Sequence, residues 1–368
     1  MPMKTLLVTV DSLRYDHFRH MPETQSFLQT THDRAFAPST ATIGSFPGII
    51  GGEYPDGSGL GGTNVATRFD EYSVGVTTNH LLSERYGYAE GFDAFESPTG
   101  GGDTLKDKGA AFLTRGSVPY RVASWGFNRY QQLVSAFGDV EKSFRPADDV
   151  IERFRSEIDG RSEWFGWLHF MEPHHPYDPD TADLSRAQAQ ALTRKVLAGG
   201  GDEADRERVR ELYRTEIKEL DAALTTLWEI VPDDARVVFC ADHGELLGED
   251  GLWGHPGKMR PELLHVPFGT RNAPELGEVV SLVDVPSVLL GVEHGIGELD
   301  RDVAFATYGD RKAAMNAEHF STGGATTTLD GAESVEDPAL ERELERFEPG
   351  RVVKEDALQE DLEDLGYA

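Results

Sequence analysis

The 368-residue chain is 39% hydrophobic and 10% aromatic, which excludes wholesale disorder and allows one large α/β domain or two of ordinary size. A single Cys excludes a disulfide framework and a Cys-built zinc site and points to a reducing, cytoplasmic compartment; no stretch approaches the ~20 apolar residues of a membrane helix. With 35 Lys and Arg against 65 Asp and Glu, the net charge of −30 repels nucleic acid and anionic membrane surfaces.

The acid is spread along the whole chain, which reads as adaptation to high salt, where screening removes self-repulsion. Leu6 to Val10 is a continuous apolar run, the pattern of a strand buried on both faces, and it stops at Asp11, too short for a secretion signal. Residues 38 to 63 are rich in Gly, Ser and Thr and read as loop, with a short helix from Phe46 to Ile50. Tyr72 to Val76 is a second strand. Gly100 to Gly102 mark a flexible loop. Pro146 to Asp149 open a helix with Val150, Ile151, Phe154 and Ile158 on one face.

Trp164 to Phe170 is a third strand. Gly199 to Gly201 form a break before a long helix over 203–230, whose stripe is Tyr213, Ile217, Leu220, Leu224 and Leu227. Arg236 to Cys240 is a fourth strand, and Val279 to Val283 and Val303 to Thr307 are later ones. Leu358, Leu362 and Leu365 recur at helical spacing in the acidic end. Strands alternating with helices, with no internal repeat, predict a mostly parallel sheet with helices on both faces.

In such sheets ligands sit beyond the carboxyl ends of the strands. Three polar clusters fall there: Asp11 after the first strand, His174 after the third, and Asp242 with His243 after the fourth. Two carboxylates and one imidazole make a hard donor set for one divalent cation: Mn²⁺, Mg²⁺ or Ca²⁺, with Zn²⁺ as a further candidate.

Five segments, VDSLRYDH, PSTATIGSFPGIIGGEYP, FMEPHHPYDP, ADHGELLGEDGLWGHPGKMRPELLHVPF and LEDLGYA, together resemble the sulfatase family of the alkaline phosphatase superfamily, in the family's order and over nearly the whole chain. NHLLSERYGYAEGFDAF and YRTEIKELDAALTTL are similar to its connecting segments. The resemblance implies an α/β sandwich of the alkaline phosphatase type, with a catalytic domain over 1–300 and a small C-terminal subdomain with an acidic tail over 301–368.

The nucleophile position departs from the family. Sulfatases carry Cys or Ser in a C/S-x-P-x-R motif; counted back from Gly51-Gly52-Glu53-Tyr54-Pro55, that position is Thr42. Thr42-Ile43-Gly44-Ser45-Phe46 lacks the Cys, the Pro and the Arg, and a Thr, with a methyl on its β-carbon, cannot become formylglycine. Other branches of the superfamily, nucleotide phosphodiesterases and lipoteichoic acid synthases, attack phosphorus with a metal-bound Thr. Asp11, Thr42, Asp242 and His243 resemble the ligand set of the latter, in order. Ser12 stands where family members place a second adjacent acid, and no full second ligand set is legible, so one metal ion is expected.

His174 holds the family position for the acid that protonates the leaving oxygen, and His255 is the other candidate. Either of His174 and His175 can instead cap the strand end, and His255 can pack its loop. Lys258 is a candidate oxyanion contact or plain surface, and Asn79 is a candidate substrate contact. Arg14 and Asp16 are expected to pair with each other or with backbone; Trp164, Trp167 and the Tyr213 stripe are expected in the core. The glycines from 57 to 62 match no P-loop spacing and read as loop.

The expected activity is metal-dependent cleavage of a phosphate ester, a diester, through a covalent phospho-Thr42 species. The alternatives are sulfate ester hydrolysis, transfer of the bound group to another alcohol, and a non-catalytic metal-binding role. The substrate is expected to be a small-molecule or glycan- or lipid-linked anionic ester. Residues 56–70 and 100–145, which would select it, carry no readable motif, and the oligomeric state is open.

Overall fold

Apolar β-branched and aromatic runs form the centre of the fold. The computed structural model describes residues 4–54, 60, 64–98, 142–291 and 299–348. Its main sheet has seven strands: β1 (Lys4–Val10), β2 (Thr30–Thr31), β3 (Tyr72–Val76), β4 (Ala94–Glu96), β5 (Trp164–Phe170), β6 (Arg236–Ala241) and β7 (Phe268–Arg271). Their order is β2-β7-β6-β1-β5-β3-β4. The pairs β6–β1, β1–β5, β5–β3 and β3–β4 are parallel; β7 runs antiparallel to both β6 and β2. This is the mostly parallel α/β sheet of the alkaline phosphatase type, and all seven residues of β5 are buried, as a strand covered on both faces requires.

Alternation along β5 shows which helices cover which face. The helix α1 (Thr42–Gly51) sets Phe46 against Trp167 and His169, whose ring centroids lie 5.5 and 5.1 Å away. On the other face, α2 (Ala147–Ile158) packs Phe154 against Trp164, centroids 5.3 Å apart, and so close over Gly166 that a Cβ there would lie 2.5 Å from the ring. The same face carries α3 (Arg186–Leu197) and the long α4 (Glu203–Ile230), each opened by a capping box, Ser185 with Gln188 and Asp202 with Asp205. The predicted α4 stripe is buried throughout.

Downstream, β8 (Ala304–Tyr308), β9 (Arg311–Met315), β10 (His319–Ser321) and β11 (Thr326–Thr328) form an antiparallel sheet. It is covered by α5 (Pro338–Arg346), whose Leu340 and Leu344 bury against Ala314. Its first strand is tied to the loop before α1: Thr307 N–H donates to Pro38 O, and Ser39 Oγ to Thr307 O at 2.8 Å.

Two elements differ from expectation. The helix expected from Phe46 begins at Thr42, four residues earlier, and runs through Gly44 and Pro47 to Gly51. The strand expected over 279–283 is limited to Val280–Ser281; Asp284 caps back onto Ser281 and turns Leu282–Asp284 into a 3₁₀ turn. The loop at Gly100 to Gly102, the glycines from 57 to 62 and the terminal leucines lie outside the described residues.

Candidate active site

The parallel strands end on one rim, and the side chains that leave them there are polar. β1 runs into Asp11 and β6 into Asp242 and His243, and all three are fully buried. The turn after β1 is made by Ser12, a non-glycine residue in left-handed backbone at φ 59°. That conformation aims Ser12 N–H at Asp242 Oδ1 (3.2 Å) and Ser12 Oγ at Asp11 Oδ1 (2.7 Å), joining the two strand ends. Tyr213 locks the turn: its hydroxyl donates to Ser12 O at 2.7 Å and accepts from Arg14 N–H at 3.1 Å. Arg14 forks onto Asp16 at 2.8 and 2.9 Å and also reaches Glu249, so the expected Arg14–Asp16 pair is present.

Thr42, the first residue of α1, enters this cluster from the third side. Its Oγ1 donates to Asp11 Oδ2 at 3.2 Å and lies 3.4 Å from His243 Nε2. His243 donates from Nδ1 to Gly244 O at 2.8 Å, which leaves the Nε2 lone pair turned to Thr42. Ala41 offers no side-chain cap, so the N-terminal end of α1 faces the cluster, an orientation that favours anions. Ser39 and Ser45, the neighbouring hydroxyls, are spent on Thr307 O and Ser39 O. Cys240 is buried inside β6, and burial pushes its thiol well up.

The donor set fits a divalent cation. Asp11, Asp242 and His243 each offer a ligand atom, and these atoms lie within 4.8 Å of one another. Asp242 Oδ2 is buried with no hydrogen-bond partner, a costly state for a carboxylate that a cation relieves. Burial and the neighbouring Asp11 push Asp242 up to about 6. At Asp11 the same burial is outweighed by His174, His169 and His243, which hold its carboxyl well below the usual range. At His243, burial lowers proton affinity, but Asp242 and Asp11 raise it further. A dication between the two carboxylates would keep both ionised.

Beside this centre lies a cluster of imidazoles. His255 lies tilted against His243, ring centroids 4.7 Å apart, and 5.2 Å from His174 and 5.3 Å from His175. Buried Glu245 anchors it, accepting from His255 Nδ1 at 3.1 Å, His175 Nδ1 at 3.3 Å and Tyr177 Oη at 3.2 Å. Burial pushes His174 down to about 3 and lowers His255, so both are neutral near pH 7. A cleft of about 740 Å³ opens from His174 and His175 toward Asn79, Arg145 and Arg194.

The remaining expectations separate. Asn79 is buried, and its Nδ2 donates to Asp11 Oδ2 at 3.2 Å while its Oδ1 caps Leu81 N–H. Lys258 is exposed, outside the buried cluster. Two residues that sequence reasoning left unassigned belong to the centre. His169 is fully buried with Nε2 3.6 Å from Asp11 Oδ2 and Nδ1 3.0 Å from Thr9 Oγ1. Glu245 stands inside the quoted DHGE run but acts at the imidazoles. The signal for His169 was a lone ionisable residue inside the apolar run Trp164–Phe170.

A family model described as Sulfatase matches residues 5–268. A low-salt glycan biosynthesis sulfotransferase of Haloferax volcanii is 42% identical over 78 residues, 18% of this chain and 19% of that relative, so the match spans about a fifth of the relative's length. Phosphonate monoester hydrolase of Silicibacter pomeroyi superposes over 99% of this chain and 93% of its own, with a TM-score of 0.59 at 14% identity. An alkaline phosphatase superfamily protein of Vibrio parahaemolyticus superposes over 88% of this chain and 77% of its own, TM-score 0.55 at 14% identity. At such identities these two likenesses speak for the fold.

Proposed function

The chain belongs to the sulfatase family, and on that premise we propose that it is a metal-dependent esterase that cleaves a phosphate ester, a diester, with Thr42 as nucleophile. One observation carries the reading: a hydroxyl at the start of a helix, 3.2 Å from Asp11 Oδ2 and 3.4 Å from His243 Nε2, beside the unpartnered Asp242 Oδ2. Asp11, Asp242, His243 and Thr42 would hold the cation. When bound, a divalent ion polarises the ester oxygens, neutralises phosphoryl charge and eases ionisation of the Thr42 hydroxyl.

Thr42 gives its hydroxyl proton to solvent, Oγ1 attacks phosphorus, the leaving P–O bond breaks, and the departing alkoxide takes a proton. His174 or His255 supplies that proton; both are neutral in the substrate-free protein, and an anionic ester beside them raises their proton affinity. A water then gives a proton back to that histidine and attacks phosphorus, the bond from phosphorus to Thr42 Oγ1 breaks, and Oγ1 regains its proton from solvent. The Ser12 turn and Tyr213 hold Asp11 and Asp242 in place through both steps.

A second reading has the acceptor as an alcohol rather than water. It is favoured by the sulfotransferase named among the relatives. The chemistry at Thr42 is unchanged; only the second nucleophile, and sulfuryl in place of phosphoryl, would differ.

The test is a panel of p-nitrophenyl phosphate, phosphodiester, phosphonate and sulfate esters, assayed with Mn²⁺, Mg²⁺, Ca²⁺ and Zn²⁺ in molar salt. Phosphodiester turnover should dominate, and acid quenching should trap phosphate on Thr42 in the peptide map. Thr42→Ala should lose several orders of magnitude, and Thr42→Ser should keep part of the activity. Near-normal turnover in Thr42→Ala, or an adduct on Ser39 or Ser45, would overturn the nucleophile. Faster turnover of sulfate esters than of any phosphate ester would overturn the substrate class.

A further inference from the structure

We infer that Arg194 forms a separate anion-binding site in the cleft, for a phosphate, sulfate or carboxylate that the substrate carries apart from the ester that is cleaved. This site presupposes the ester-cleaving centre at Thr42 and adds the class of substrate, a polyanion. The cleft, of about 740 Å³, has the size that takes a drug-sized molecule, far more than one phosphoryl group fills. His174 and His175 line the part beside the carboxylate centre. Arg194 lines it from α3, together with Thr193 and Leu197 of the same helix.

Charge in the cleft runs against the charge of the chain. The chain has 65 acids and 35 Lys and Arg, yet Arg145 and Arg194 in the described lining face one carboxylate, Glu96. Both oxygens of Glu96 are taken, Oε1 by Arg145 Nη1 and Oε2 by Arg153 Nε, each at 2.6 Å. Arg194 has no such counterion. Its Nη2 donates to Gln190 Oε1 at 3.1 Å, and among the described residues no ion pair joins it to a carboxylate. The amide that braces it is itself fixed: Gln190 is buried, and its Nε2 donates to Asp178 Oδ2 at 2.6 Å. Asp178 Oδ2 also accepts from Ser143 N–H at 3.0 Å and Ser143 Oγ at 3.1 Å, so its charge is spent below the cleft. Desolvation lowers the proton affinity of Arg194, and Asp178 is the one charge that raises it. A guanidinium braced by a neutral amide, with most of its fork unspent, is suited to grip an anion with two parallel hydrogen bonds. In a chain whose net charge of −30 repels anions elsewhere, that spot focuses them.

The test is titration calorimetry on the full-length chain with Mn²⁺ present, in the lowest KCl that circular dichroism shows to keep the fold. Alkylphosphonates carry one anionic group. Their ω-carboxy, ω-sulfo and ω-phosphono derivatives, of graded chain length, add another at increasing reach and tell the three anions apart. At least one doubly anionic probe should bind about 5- to 10-fold tighter than the alkylphosphonate of equal length. Arg194→Gln should cancel that gain, so that both kinds of probe bind alike, and Arg194→Lys should keep part of it. Arg194 is an exposed helix residue, and circular dichroism checks that both variants are folded. Doubly anionic probes that bind no tighter than alkylphosphonates at any length, or that keep their gain in folded Arg194→Gln, would overturn the site. A gain that depends on Arg194, in a chain that cleaves none of the p-nitrophenyl esters, would leave the site standing and overturn the ester-cleaving reading instead.

Discussion

Asp11 has two oxygens and several claimants. Ser12 Oγ takes Oδ1, Thr42 Oγ1 and Asn79 Nδ2 share Oδ2 at 3.2 Å each, and His169 Nε2 stands 3.6 Å from the same atom. Donors to the ionised form favour that form, so the carboxylate nearest Thr42 titrates well below the usual range, whereas burial and Asp11 push Asp242 up to about 6. The opposite case lies under the cleft. Glu216 accepts from Asp178 N–H at 2.7 Å through Oε1, while Oε2 is buried without a partner. Burial first, and Glu172 second, push its carboxyl from 4.5 up to about 8. Between those values the folded chain keeps a proton that the unfolded chain has released, so Glu216 makes stability fall as pH rises through that window. Glu216→Gln keeps the acceptor for Asp178 and removes the titration. Its denaturant midpoint should depend less on pH than the wild type's between about pH 5 and 8; equal slopes for the two proteins would refute this assignment.

At the scale of elements, the centre is a meeting of ends. β1 and β6 deliver carboxylates and an imidazole, and α1 delivers Thr42 at its own N-terminus; Gly52 closes the other end of the helix in left-handed backbone at φ 77°. Gly44 is needed in that first turn because a Cβ would meet Ser39 Oγ at 2.2 Å, and Ser39 anchors the loop to β8. The sheet that receives this anchor depends on α5. Asp337 caps α5 through Leu340 N–H at 3.0 Å and also holds His319 and Asn316 at 2.9 Å; the cap, with His319, pulls its carboxyl down to about 2. Losing such a cap costs about 1 kcal/mol, a factor of about five in opening. In Asp337→Ala, amide exchange at Leu340 and Glu341 should quicken by about that factor, while Asp337→Asn keeps much of the protection. Unchanged exchange in the Ala variant would show that Leu340 and Leu344 packing alone holds the helix.

For the whole molecule, charge dominates. A net of −30 in 368 residues leaves many acids whose partners are other surface groups, such as the Arg210 fork onto Glu203 and Glu207, and such exposed pairs contribute little each. Self-repulsion therefore acts across the surface in dilute buffer, where the Debye length is ~30 Å at 0.01 M, and is screened at 1 M, where it is ~3 Å. The melting temperature should rise steeply with KCl between those limits. A flat profile would remove the salt-adaptation reading. Among the described residues no helix is long and apolar enough to cross a membrane.

Sequence by itself determined what depends on neighbours along the chain. Burial on both faces makes β1, β5 and β6 predominantly apolar, and the 3.6-residue stripe of α4 follows from helical geometry. Polar residues stopping those strands marked Asp11, Asp242 and His243, because ionisable side chains at the carboxyl ends of parallel strands stand where ligands bind. Only the tertiary structure decided what meets across the chain. It started α1 at Thr42 and so put a hydroxyl on Asp11, 31 positions away. It turned His169 inward, since a period of two assigns a face only once the covering helices are in place. It gathered His175 and His255 on Glu245, up to 70 positions distant, and stacked His174 on His175. Those contacts come from packing between elements, and pattern within an element carries no record of them.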